Sequence, residues 1–161
     1  MKSMRSSILV IGIGNEFRSD DGVGLLVARA IKEKKFPHVA VIEQSGEGAA
    51  LMDAWNSAQN VYVVDAVSSS APGGTVFRID AKTEPLQNDL RLFSSHAFGV
   101  VDAVELGRQM NMLPTRLIIF GIGAKNFESG KHLSSGVKRS KQTVTQMLID
   151  DMLSVSPRSL H

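Results

Sequence analysis

The sequence predicts an α/β fold of three layers, with a mostly parallel, twisted five-stranded sheet flanked by helices on both faces. Two observations carry this. Nearly continuous apolar runs recur at Ile8–Ile13, Val61–Val64 and Arg116–Ile122, as strands covered on both faces require. Between the runs lie segments with apolar residues three and four apart, so strands alternate with helices, which implies crossover connections and a parallel sheet.

Taken in order, Ile8–Ile13 is the first strand and Val39–Ile42 the second. Val61–Val64 is the third, Thr75–Ile79 the fourth and Arg116–Ile122 the fifth. The fourth alternates apolar and polar side chains, which suits an edge or half-exposed position. The first helix follows from Val23, Leu26, Val27, Ala30 and Ile31, which share one face. Ala97, Val100, Val101 and Val104 repeat that spacing, as do Val137, Val144, Leu148 and Met152. Gly46–Ser57 is a weaker helix. Ser68–Gly74 is a loop by composition, and Lys82–Leu92 is polar and irregular. If the strands are ordered 2-1-3, the first and third flank the point where ligands are held in doubly wound sheets.

The 161 residues suit a single domain, with a core over about residues 7–155. A chain of this length buries roughly 70% of its unfolded surface without staples. No cysteine is present, so disulfides, thiolate zinc sites and cysteine nucleophiles are excluded. The formal charge of +2 is spread along the chain and argues against a nucleic-acid partner. The apolar run ending at Ile13 is too short for a signal peptide, and no stretch approaches the roughly 18 apolar residues of a membrane span. A soluble, cytoplasmic protein is expected.

Asp20 and Asp21 sit where the first strand gives way to the first helix. Either can cap that helix, but one cap needs one aspartate, so the second is free for other work. Gly12, Gly14, Gly22 and Gly24 allow sharp turns and close approach around them. A dinucleotide fingerprint fails here: Phe17 takes the place of its third glycine, Glu16 would repel a pyrophosphate, and no Walker lysine is present. Asp65 closes the third strand, facing the same crevice or opening an Asx turn over Ala66–Ser70. His96 lies at a loop-to-helix junction, whereas His38 and His132 read as surface residues and His161 is terminal. Two carboxylates and an imidazole from three segments can hold a divalent cation with an open position, and mixed donors suit zinc or nickel. The spacing permits this convergence without requiring it. No serine, cysteine or lysine nucleophile is convincingly placed, and no His-Glu-x-x-His helix exists.

These residues resemble the nickel–iron hydrogenase maturation endopeptidases, which remove a C-terminal peptide from the hydrogenase large-subunit precursor after nickel insertion. The shared pattern is Gly12, Ile13, Gly14, Asn15, Asp20, Asp21 and Gly24, then Asp65 in Val-Asp-Ala and His96 with Gly99. Gly121-Ile122 and Leu133-Ser134 echo the family's later segments, so the similarity runs from about Ile8 to Val144. The resemblance implies Asp21, Asp65 and His96 as metal-binding and catalytic residues, with Asn15, Asp20 and Gly46 supporting them or the substrate. It implies nickel carried by the substrate, with zinc or cadmium able to substitute. The implied partner is the precursor, with no nucleic acid, membrane or nucleotide.

Glu43-Gln44-Ser45-Gly46 replaces the family's frequent Asp-Gly-Gly-Thr, and Ala124-Lys125 stands where proline is frequent, which bears on which precursor is cut. Lys138, Arg139 and Lys141 are a solvated helix face or a docking surface for an acidic partner. Rival readings are a non-catalytic, chaperone-like nickel-checking module and a Rossmann-like nucleotide enzyme.

Overall fold

The computed structural model describes residues 8–86, 91–92 and 98–155. In chain order the elements are β1 (Ile8–Ile13), α1 (Val23–Glu33), β2 (Val39–Gln44), α2 (Gly48–Trp55), β3 (Asn60–Ser68), β4 (Val76–Asp80), β5 (Arg91–Leu92), α3 (Val100–Gln109), β6 (Arg116–Gly123) and α4 (Ser135–Val155). The sheet order is β2-β1-β3-β6-β4, with β5 pairing on β3. β2, β1, β3 and β6 run parallel, while β4 and the two-residue β5 are antiparallel to their neighbours. The 2-1-3 start on which a crevice shared by the first and third strands depends is therefore present. The sixth strand, β5, falls in the stretch read as irregular, because two residues carry no periodicity to detect.

Each face of the sheet has its own apolar layer. Leu9, Ile11, Ile13, Val61, Val63, Leu117 and Ile119 pack against Leu51 and Trp55 of α2 and Val100, Ala103 and Val104 of α3. The alternate residues Ile8, Val10, Tyr62, Val64, Ile118 and Phe120 pack against α1 and α4. Strands buried from both sides need apolar side chains at every position, which is why their sequence runs are continuous. β4 closes one edge, and its Arg78 donates to Asp151 of α4 at 2.9 and 2.7 Å.

The apolar stripe of α4 runs through Val137, Val144, Leu148 and Met152 but includes buried Ser140. Its hydroxyl donates to the Gly74 carbonyl, which satisfies a polar atom inside the layer and ties the loop after β3 to α4. Lys138 and Arg139 are exposed and Lys141 is half-buried, which a solvated face and a docking surface both allow. No helix among the described residues is long and apolar enough to cross a membrane.

Candidate active site at the ends of β1 and β3

The chain steps from β1 to β2 in one direction across the sheet and returns over β1 to reach β3. The crevice between the carboxyl ends of β1 and β3 is thus the topological switch point. The last β1 residue paired with β3 is Gly12, opposite Val64. Asp65 is the next residue of β3, the first to run beyond that pairing. This corrects the expectation that Asp65 closes the strand, and with it the alternative that it opens an Asx turn. β3 continues to Ser68, and Asp65 pairs with Gly121 of β6. The strand persists because its far side is still covered by β6 after β1 has ended. Alternation puts Asp65 on the face of Val63 and Val67, the layer of α2 and α3.

After β1 the backbone reverses through Gly14, whose φ of 150° suits glycine. A Cβ there would collide with the Asp21 carbonyl oxygen. Asn15 then serves twice: its Oδ1 accepts from the Phe17 amide at 2.9 Å, and its own amide donates to Asp21 Oδ2 at 3.1 Å. A 3₁₀ turn, Ser19–Gly22, leads into α1. At Gly24 a Cβ would lie 2.5 Å from the Ile13 carbonyl oxygen and overlap that of Val64. The glycine spacing therefore brings the start of α1 onto the ends of β1 and β3, beside Asp65. It serves packing, and Glu16 is engaged by Arg29 at 3.1 Å.

Neither aspartate caps α1, whose N-cap is Gly22 with no side-chain hydrogen bond; the capping alternative is overturned. Asp20 is fully buried and reaches across the chain. Its Oδ1 accepts from the Ser134 amide at 2.7 Å, and its Oδ2 from the Lys125 and Asn126 amides at 3.3 and 3.1 Å. The Ser134 hydroxyl also donates to Oδ2. Burial alone would raise the pKa of Asp20, but these donors outweigh it and hold the carboxyl below its ordinary range. The α1 end is occupied by tightly packed backbone, so the side chain finds its donors in the loop after β6.

Asp21 and Asp65 have the opposite surroundings. Asp21 is 5% exposed and Asp65 fully buried. Among the described residues, Asp21 Oδ1 and both oxygens of Asp65 have no hydrogen-bond partner. Burial pushes Asp21 up, with the Arg18 charge and the Asn15 amide pulling against it. Burial and the neighbouring Asp21 charge push Asp65 well above the usual carboxylate range, opposed by the adjacent Ala66 amide, which lies near the carboxylate without the geometry of a hydrogen bond. The structure thus brings two of the three expected ligands into one electrostatic unit. His96, with Ala97, lies outside the described residues, and no cluster of three or more His, Cys, Asp or Glu forms among those described.

The chain that follows His96 is described from Phe98. The Gly48 amide donates to the Phe98 carbonyl at 2.8 Å, and a Cβ on Gly48 would press into the Phe98 ring. The Gly99 amide donates to Asp102 Oδ2 at 3.0 Å, closing the first turn of α3. Gly46 is buried at φ 99° and precedes Glu47, which caps α2 by accepting from Ala49 and Ala50 at 2.9 and 2.8 Å. Sequence reasoning misses the Lys125–Asn126–Ser134 cradle. Leu133-Ser134 stands out only through the family resemblance, since no local signal announces a partner more than a hundred residues away.

The family model described as hydrogenase maturation protease, HycI, matches residues 25–151. That span includes Asp65 and His96 and begins after Asp21. The hydrogenase expression/formation protein HupD of Thiocapsa roseopersicina is 28% identical over an alignment of 123 residues that covers 74% of this chain and 56% of HupD. The chain thus spans little more than half the length of that relative. Protein FrxA of Pyrococcus furiosus is 28% identical over an alignment of 135 residues that covers 81% of this chain and 93% of FrxA. The [NiFe] hydrogenase maturation protease HybD from Thermococcus kodakarensis superposes with a TM-score of 0.71 at 25% identity, covering 89% of this chain and 97% of that one. For the hydrogenase maturating endopeptidase HybD from Escherichia coli the TM-score is 0.77 at 20% identity, with 92% and 93% covered, a likeness of fold. With the family model running from the start of α1 nearly to the end of α4, the chain belongs to the hydrogenase maturation protease family.

Proposed function

We propose that the protein is an endopeptidase that removes the C-terminal extension of a nickel-loaded hydrogenase large-subunit precursor, recognising the nickel through Asp21, Asp65 and His96. One observation carries the reading: Asp65 is fully buried with neither carboxylate oxygen partnered among the described residues, beside a second carboxylate with one open oxygen. A buried carboxylate without a partner is costly, and a cation at the site would relieve both groups at once.

The donor chemistry fits. Carboxylate oxygens and an imidazole suit nickel, and zinc or cadmium would bind the same set. The nickel arrives with the precursor as part of the substrate. The place of His96 in the set rests on motif order and on its segment leading into α3, which lies on the same face as Asp65. A cation held there supplies polarisation of the scissile carbonyl or of an attacking water. The hydroxyls of Ser19 and Ser134 are already committed, donating to the Glu128 carbonyl at 2.7 Å and to Asp20, so neither is a free nucleophile. This reading assigns the work to the cytoplasm, on a protein partner, with no nucleotide, nucleic acid or membrane.

Incubation with nickel-loaded large-subunit precursor, followed by mass spectrometry of its C-terminus, tests the reading. Loss of one discrete C-terminal peptide is expected. A precursor that is bound but never shortened would replace it with the nickel-checking, chaperone-like module.

A further inference from the structure

We propose that Asp20 is a positioning residue: by gathering the Lys125, Asn126 and Ser134 amides and the Ser134 hydroxyl around its buried carboxylate, it fixes the Ser19–Gly22 turn so that Asp21, and not Asp20, keeps a carboxylate oxygen open at the ends of β1 and β3. This rests on the cation-gripping role of Asp21 set out above.

Two adjacent aspartates on one short turn are chemically equivalent in the sequence. A modest rotation of that turn would exchange them. The structure removes the ambiguity by committing every described hydrogen bond of the Asp20 side chain to the loop after β6. Oδ1 takes the Ser134 amide at 2.7 Å, and Oδ2 takes the Lys125 and Asn126 amides and the Ser134 hydroxyl. On the other flank, the Asn15 amide holds Asp21 Oδ2 at 3.1 Å and leaves Oδ1 open. The turn is therefore clamped from both sides, with one carboxylate oxygen engaged by neither clamp.

Backbone pairing already joins the two segments without Asp20's side chain. The Ser19 amide donates to the Gly130 carbonyl at 2.8 Å, the Asp20 amide to Asn126 at 3.0 Å, and the Gly130 amide to Phe17 at 2.8 Å. Arg18 and Gly130 form a parallel bridge. Mere attachment of the loop does not need a carboxylate. What the carboxylate adds is orientation, because all four groups around it are donors and only an acceptor on both branches satisfies them. Asparagine would put an NH₂ into that all-donor pocket and force the turn to shift. The backbone pairs keep such a variant folded.

The test compares wild type, Asp20→Asn and Ser134→Ala by amide hydrogen exchange and by processing of the nickel-loaded precursor. The Asn15 amide reports on Asp21 directly and needs neither metal nor turnover. Its exchange should accelerate about tenfold or more in Asp20→Asn, and less in Ser134→Ala, while β3 amides such as Val63 keep wild-type protection. Processing should lose on the order of ten- to a hundredfold in kcat, with KM little changed, as expected when a reacting group is misplaced. Wild-type protection at Asn15 with wild-type kcat in both variants would overturn the proposal. So would a uniform loss of protection across Asn15 and β3, which marks ordinary destabilisation. If wild type itself leaves the precursor uncut, the cleavage reading fails and the exchange comparison still decides the positioning role.

Discussion

Asp20 and Asp21 are neighbours in the chain, both buried, and their carboxylates are treated in opposite ways. Asp20 is saturated with donors from the Lys125–Ser134 segment, whereas Asp21 keeps Oδ1 without a partner among the described residues. The first is held in its charged form by hydrogen bonds, and the second is pushed towards its neutral form by burial. A saturated carboxylate is structural and an unsaturated one is available to a ligand. The proposed site is built on that difference.

Asp65→Asn should stabilise the ion-free protein near neutral pH while abolishing precursor processing. The folded-state pKa of Asp65 is raised, mainly by burial and then by the Asp21 charge. Its contribution to stability is thus fully present below the ordinary carboxylate pKa and lost as pH rises through the raised value. Each tenfold gain in proton affinity on folding is worth about 1.4 kcal/mol, or roughly 3–6 °C in Tm for a chain of this size. Thermal melts should show the Tm gap between variant and wild type widening from acid to neutral pH. A variant that melts lower throughout would contradict the account.

Processing should decline as pH falls below about 6, where an ordinary imidazole gains its proton. Asp21 and Asp65 act in the same direction, because burial makes both hold their protons more tightly than an ordinary aspartate and cation binding must displace them. Asp20 does not contribute to this limb. Its lowered pKa means its stabilisation is present above the ordinary carboxylate value and is lost only as pH falls below it. Initial rates between about pH 5 and 8 measure this, and a flat profile would count against the ligand set.

Cadmium or zinc added to the free protein should raise its Tm, through binding to the folded state alone. At a hundred times the dissociation constant the gain is about 2.7 kcal/mol. Asp21→Ala and Asp65→Ala should lose that shift. Equal stabilisation of wild type and both variants by the metal alone would place the cation elsewhere.

Gly24→Ala should both destabilise the fold and impair processing. The new Cβ would meet the carbonyl oxygens of Ile13 and Val64, which are strand backbone and cannot turn aside. Overpacking of this kind costs about 1–3 kcal/mol, and relief requires α1 and the preceding turn to lift from the ends of β1 and β3. Chemical denaturation together with the processing assay would detect the two losses. Wild-type stability in the alanine variant would show that the close approach is dispensable.

Much of the fold is legible because burial on both faces leaves a direct mark on sequence. β1, β3 and β6 read as apolar runs, and α1 and α4 as stripes spaced three and four apart. β5, only two residues long, leaves no such mark. The end of β3 is misread at Asp65, because a charged residue in a run of valines looks like a terminus. In the folded sheet it is the point where β3 loses β1 on one side while keeping β6 on the other. Ser140 interrupts the α4 stripe for a similar reason, since its partner is the distant Gly74 carbonyl.

The sequence by itself determined the layer architecture and the residue types able to hold a cation. Periodicity and spacing are local properties, and they suffice for those. Tertiary structure alone decided which of the paired aspartates stays open. The donors that saturate Asp20 come from Lys125, Asn126 and Ser134, more than a hundred residues further along the chain, and only folding brings them within hydrogen-bonding distance.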